Sequence, residues 1–162
     1  MTKLLHYIGL VILTTALSGC GFQLRDNYQL PAAMQAVSVQ APAFSEFSQV
    51  LQRRLTLAGA ELVDSAQADM TIEVLSDQLD RRTLSLSQSG QVAEYEMIYT
   101  VNYQIIQQGS EPQKLQVEVY RDYQDDPNFA LAKTREREVL IREMRDDAAR
   151  QLLRQTIAQL SE

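Results

Sequence analysis

The chain contains one cysteine, one histidine and no tryptophan in 162 residues. His6 and Cys20 both stand close to the N-terminus. Lys3 is followed by a mostly apolar run from Leu4 to Ala16 and then by small residues, the pattern of a secretory leader. The run is about 13 residues, short of the roughly 20 that a spanning helix needs. With residues 1–19 removed, the chain has no histidine, and its only sulfhydryl is at its new first residue. That excludes His/Cys zinc sites and serine–histidine dyads, and it leaves no second cysteine for a disulfide. Cations are also scarce: Lys and Arg total 15 against 21 Asp and Glu. Lys3 is the leader's only charged side chain, so its loss takes the formal net charge from −6 to −7. Nucleic acid wants a basic face and is an unsuitable partner.

Carboxylate pairs are what remains for catalysis: Glu94/Glu96, Asp125/Asp126 and Asp146/Asp147. Glu94 and Glu96 lie two apart in an alternating strand, and Asp146 and Asp147 lie in a charged helix, so both pairs read as solvated faces. The expectation is a protein that is not an enzyme and needs no metal or cofactor.

The leader ends in Leu17-Ser18-Gly19-Cys20. This resembles the lipobox of bacterial lipoproteins, in which the thiol is acylated and the cysteine becomes the new N-terminus. A plain secreted protein or an uncleaved anchor would require the single cysteine to fall at this boundary by accident. Each buried acyl CH₂ contributes about 0.8 kcal/mol and one chain binds only reversibly, so several chains are needed for a firm hold. In the lipoprotein sorting pattern an Asp after the cysteine favours retention at the inner membrane. Gly21 points instead to the outer membrane of a Gram-negative bacterium. The expected organisation is a leader over 1–19, an acylated tether over 20–34 and a single domain over 35–162. A domain of this size buries about 70% of its unfolded surface.

Val37 and Val39 alternate with polar neighbours and predict a short strand ending at Pro42. Phe47, Val50, Leu51, Leu55 and Ala58 recur at helical spacing over about 44–58, with Arg53 and Arg54 near the wet edge and Gly59 suited to the cap. Met70, Ile72 and Val74 then alternate, with the same parity returning at Leu84 and Leu86, which predicts a long strand bulged near Asp80-Arg81-Arg82. Gln88-Ser89-Gly90-Gln91 predicts a hairpin turn. Tyr95, Met97, Tyr99, Val101, Tyr103 and Ile105 share one face of the next strand, and Leu115, Val117 and Val119 one face of the last. Asp126-Pro127 predicts a helix start. Leu131, Leu140, Ile141, Met144, Ala148, Leu152 and Leu160 form its stripe to about 160. The order β-α-β-β-β-α predicts an α+β two-layer sandwich: a mostly antiparallel four-stranded sheet with two helices on one face.

Three segments carry a family resemblance. Cys20-Gly21-Phe22-Gln23-Leu24-Arg25 resembles the mature start of the lipopolysaccharide-assembly lipoproteins of the LptE family. Gly90-Gln91-Val92-Ala93-Glu94-Tyr95-Glu96-Met97 resembles their central hairpin. Asn128-Phe129-Ala130-Leu131-Ala132-Lys133, followed by Arg142-Glu143-Met144-Arg145-Asp146-Asp147-Ala148-Ala149, resembles their last helix. The segments keep the family's order across the whole mature chain. The resemblance implies an outer-membrane lipoprotein that plugs an LptD-like β-barrel, helps assemble it and binds lipopolysaccharide for delivery to the outer leaflet.

Lipid A phosphates call for Lys or Arg donors. The resemblance implies Lys133 as one. Arg81 and Arg82 are further candidates from their clustering. Some members carry an arginine where this chain has Gln88, which leaves more of the lipid contact to Lys133. Gln88, Ser89, Gly90 and Gln91 are the candidate partner-contact tip. The tyrosines at 95, 99 and 103 read as core. The alternative function is a stand-alone periplasm-facing lipoprotein that binds a small lipid or peptide on its Tyr/Met face.

Overall fold

The computed structural model describes residues 30–160. The leader, His6, Cys20 and Gly21 lie outside the described residues. From the expected tether, Leu30 packs on the core and the 3₁₀ turn Ala32–Met34 carries Met34 wholly buried.

Strand β1 (Ala36–Gln40) leads into helix α1 (Glu46–Leu57), whose start is capped by Ser45, its Oγ accepting the Ser48 N–H at 3.1 Å. Gly59 follows at φ 98°, a left-handed conformation that closes the helix without Cβ strain. A two-residue strand β2 (Glu61–Leu62) precedes the long strands β3 (Met70–Leu86), β4 (Val92–Gln107) and β5 (Gln113–Gln124). The sheet therefore has five strands, in the order β2-β1-β3-β4-β5, rather than four. The extra edge strand is too short to show a period. β1 runs parallel to β2 and β3, while β3, β4 and β5 form an antiparallel meander.

Helix α2 (Ala130–Gln159) spans 30 residues. Asp126 accepts the Asn128 N–H at 2.9 Å and caps a 3₁₀ turn, Pro127–Phe129, so the α-helix itself begins at Ala130. Both helices contribute to one core on one face of the sheet. Phe47, Leu51 and Leu55 from α1 and Met144, Ala148, Leu152 and Leu153 from α2 meet Ile72, Val101, Tyr103 and Val119. Each large apolar side chain so buried contributes about 1.5–3 kcal/mol. Leu131, expected in the apolar stripe, is 83% exposed. From Met144 onward α2 lies down on the core. Its earlier turns keep a partial contact through Leu140.

The irregularity in β3 falls elsewhere than expected. Val74 pairs with Tyr103 and Ser76 with Asn102, so Leu75 is an extra residue, and pairing through 80–82 is regular. A one-residue bulge exchanges the two faces of the strand downstream of it. Met70, Ile72 and Val74 face the helices before it. Asp77, Leu79 and Arg81 do so after it, opposite Val101, Tyr99 and Met97. Further register shifts follow between Thr83 and Leu86, and Leu84 and Leu86 are exposed rather than core.

Two other expectations change with the packing. Asp146 and Asp147 are not simply solvated: Arg54 of α1, Arg121 of β5 and Arg150 bind them in one ion network. Arg54 accordingly bridges the two helices instead of lying on a wet edge. Tyr99 and Tyr103 are core as expected, and Tyr99 donates its hydroxyl to Asp77 at 2.7 Å. Tyr95 is half-buried and borders open space.

Candidate functional site

Where the first half of α2 stands off the sheet, it leaves a cleft of about 890 Å³. Its sheet wall is Leu79 and Arg81 of β3, Tyr95 and Met97 of β4 and Tyr123 of β5. Its helix wall is Ala130, Lys133, Thr134, Arg137 and Ile141, and Asp125 and Asp126 close one end. Lys133, Arg137 and Ile141 are four residues apart in turn, which puts them on one side of the helix. The cleft is therefore apolar at its floor and mixed in charge at its rim. The cations Arg81, Lys133 and Arg137 stand among the carboxylates of Asp80, Asp125 and Asp126.

Each of the two predicted cations in the cleft rests on an aromatic ring. The Arg81 guanidinium carbon lies 4.8 Å from the Tyr95 ring centre, and the Lys133 ammonium 5.3 Å from that of Tyr123. Such cation–π contacts hold a cation in place without using its N–H donors. Lys133 also donates to Glu136 Oε2 at 2.8 Å. That bond raises the pKa of Lys133 above the ordinary lysine value, against a smaller opposing effect of burial. The Tyr123 hydroxyl donates to the Lys133 carbonyl oxygen at 3.0 Å. Burial is the main cause that raises the Tyr123 phenol.

Arg81 and Arg82 are consecutive on β3 and so face opposite sides of the sheet, and the bulge at Leu75 decides which of the two meets the cleft. Arg81 faces the cleft. Arg82 lies opposite Glu96 on the uncovered face of the sheet and donates to it at 2.6 Å. Thus the structure brings Arg81 and Lys133 together and leaves Arg82 apart. A smaller hollow of about 380 Å³ continues from Lys133 towards the hairpin, between Ser85, Ala93, Glu94 and Gln124. Glu94 is held low by hydrogen bonds from Ser85 and Gln124 and is thereby bound to its own sheet.

The hairpin tip is exposed over Gln88, Ser89, Gly90 and Gln91 and is internally braced. The Ser87 N–H donates to the Gln91 carbonyl at 2.7 Å, and the Gln91 N–H to Ser87 Oγ at 3.2 Å. Gly90 supplies the positive φ of 79° that the turn requires. The tip stands outside the cleft. Among the described residues no cluster of His, Cys, Asp and Glu is arranged to hold a metal ion, and no helix is long and apolar enough to cross a membrane.

Sequence reasoning missed Tyr123, Glu136, Arg137 and the floor residues Leu79 and Met97 as site residues. Glu136 and Arg137 were visible three and four positions after Lys133. Tyr123 continues the parity of Val117 and Val119. Leu79 was hidden, because its face depends on the bulge.

The family model for lipopolysaccharide assembly, LptE, matches residues 34–156. The chain belongs to the LptE family. It is 36% identical over 153 residues to the LPS-assembly lipoprotein LptE of Pectobacterium atrosepticum, covering 93% of this chain and 82% of that one. The protein of the same name from Yersinia pestis is 35% identical, with 93% and 73% covered. Among solved structures, rare lipoprotein B from Shewanella oneidensis superposes with a TM-score of 0.69 at 38% identity, over 78% of this chain and 96% of that one. A lipoprotein B from Nitrosomonas europaea does so with a TM-score of 0.72 at 30% identity, over 87% and 93%. The LptE family is a lipoprotein family of Gram-negative bacteria that acts in lipopolysaccharide assembly, and the α+β fold agrees with that membership.

Proposed function

We propose that this protein is a non-catalytic outer-membrane lipoprotein, acylated on Cys20, that plugs an LptD-type β-barrel and assists its assembly. In that position it binds lipopolysaccharide during delivery to the outer leaflet. The observation that carries the binding role is the cleft in which Lys133 and Arg81 stand on opposite walls above an apolar floor. Lipid A offers phosphates and acyl chains. Phosphate takes charge-assisted bonds from Lys and Arg, and acyl carbon suits Leu79, Met97 and Ile141. The chain is acidic overall and the rim also carries Asp80, Asp125 and Asp126, so an anionic lipid would be held by the individual donors Lys133 and Arg81 and not by a net positive field.

The barrel role rests on family membership and on the exposed polar tip Gln88–Gln91, since barrel interiors are polar. The braced, polar tip Gln88–Gln91 is the element we assign to the barrel. Arg82, paired with Glu96 on the uncovered sheet face, suits the same wall better than it suits the cleft. A stand-alone binder using the Tyr/Met face as its pocket would lose most of that face, because Tyr99 and Tyr103 are already packed.

Purification of the full chain in mild detergent should bring down one large β-barrel at equal stoichiometry. Recovery of the lipoprotein alone, under conditions that preserve other barrel complexes, would contradict the assignment.

A further inference from the structure

We infer that Glu136 is a built-in competitor of the ligand phosphate for Lys133, and that it sets how tightly the cleft holds a phosphorylated lipid. The inference rests on the reading of the cleft as a lipopolysaccharide site and concerns how that site releases what it binds.

Lys133 and Arg81 are presented differently. Arg81 rests on the face of Tyr95, a contact that leaves its N–H donors available to an anion. The Lys133 side chain is only 19% exposed and directs one donor to Glu136. The Tyr123 ring and hydroxyl fix the base of that arrangement. A phosphate entering the cleft therefore finds Lys133 in place but already neutralised. It must share the ammonium with a carboxylate or displace it, and it meets the repulsion of that carboxylate as well.

Displacement is cheap. The Glu136 side chain is 48% exposed, so its carboxylate can turn into water with little desolvation to overcome. Exposed ion pairs of this kind stabilise weakly, so the competition moderates binding without abolishing it. A carrier that passes its lipid onward needs such a hold. Neutral lipid would gain nothing from the exchange.

The test is binding of purified lipopolysaccharide, and of its dephosphorylated form, to the full chain in detergent solution. The variants are Glu136→Gln, Lys133→Gln and, as a control for net charge, Glu138→Gln on the exposed side of the same helix. Glu136→Gln should tighten binding of the phosphorylated form about two- to five-fold. It should leave the dephosphorylated form unchanged, and Glu138→Gln should match the wild type. If Lys133→Gln weakens binding while Glu136→Gln leaves it unchanged or weaker, or if Glu138→Gln tightens it equally, the competition fails and the cleft reading stands. If Lys133→Gln and dephosphorylation both have no effect, the cleft reading itself fails.

Discussion

The hydroxyl of Tyr123 donates to the backbone carbonyl of Lys133 at 3.0 Å, while its ring lies 5.3 Å from the ammonium of the same residue. One side chain of the edge strand thus fixes both ends of the lysine, and it does so across the gap where α2 leaves the core. Tyr123→Phe keeps the ring and removes the hydroxyl. It should cost about 0.5–1.5 kcal/mol in urea unfolding, the net worth of one intramolecular hydrogen bond. Tyr123→Ala, which removes the ring as well, should weaken lipopolysaccharide binding more than Tyr123→Phe does.

Neighbouring arginines should behave as strangers. Arg81 faces the cleft and Arg82 the opposite side of the sheet, so Arg81→Ala should weaken lipopolysaccharide binding at least about tenfold, given roughly 1.5–3 kcal/mol for a charge-assisted bond. Arg82→Ala should leave that binding at the wild-type level. Titration of the two variants side by side checks the assignment, and equal losses would contradict it.

The two halves of α2 should also differ. Leu152 and Met144 are wholly buried, so Leu152→Asp or Met144→Asp places an unpaired charge in the core and should unfold the domain. Leu131→Asp, at an exposed position, should change stability by no more than about 0.5 kcal/mol. Circular dichroism melts distinguish the outcomes.

Acid should loosen the joint between the helices. The Arg54 guanidinium, bonded to Asp146 through Nε at 2.7 Å, holds the Asp146 carboxyl below its usual value of 3.8. A carboxyl lowered in the folded state stabilises fully above its unfolded pKa and loses that contribution as pH falls through the folded value. Stability should therefore fall from about pH 4 downward in wild type. Asp146→Asn should be less stable at neutral pH and show a shallower acid slope. Urea midpoints collected across that range give the comparison.

The legible parts of this fold were those with an uninterrupted period. β4 alternates from Tyr95 to Ile105 without a break, and every inward residue from Met97 to Ile105 is buried, with Tyr95 half-buried at the cleft. The first helix showed its stripe, and Gly59 its cap. β2 has two residues and no pattern to read. The bulge at Leu75 carries no residue signature, yet it decides which arginine meets Lys133. Leu131 fits the helical stripe by spacing but is exposed, and it is Lys133 of the same turn that meets Tyr123 of the sheet. Lys133 was legible only through resemblance. Its aromatic seat and its carboxylate competitor are consequences of packing between distant segments.

The most direct measurement compares lipopolysaccharide bound by the full chain and by Lys133→Asp, each recovered with its barrel. Lys133→Asp should keep the barrel at equal stoichiometry and bind lipopolysaccharide at least about tenfold more weakly. Unchanged lipopolysaccharide binding by that variant would contradict the assignment of Lys133.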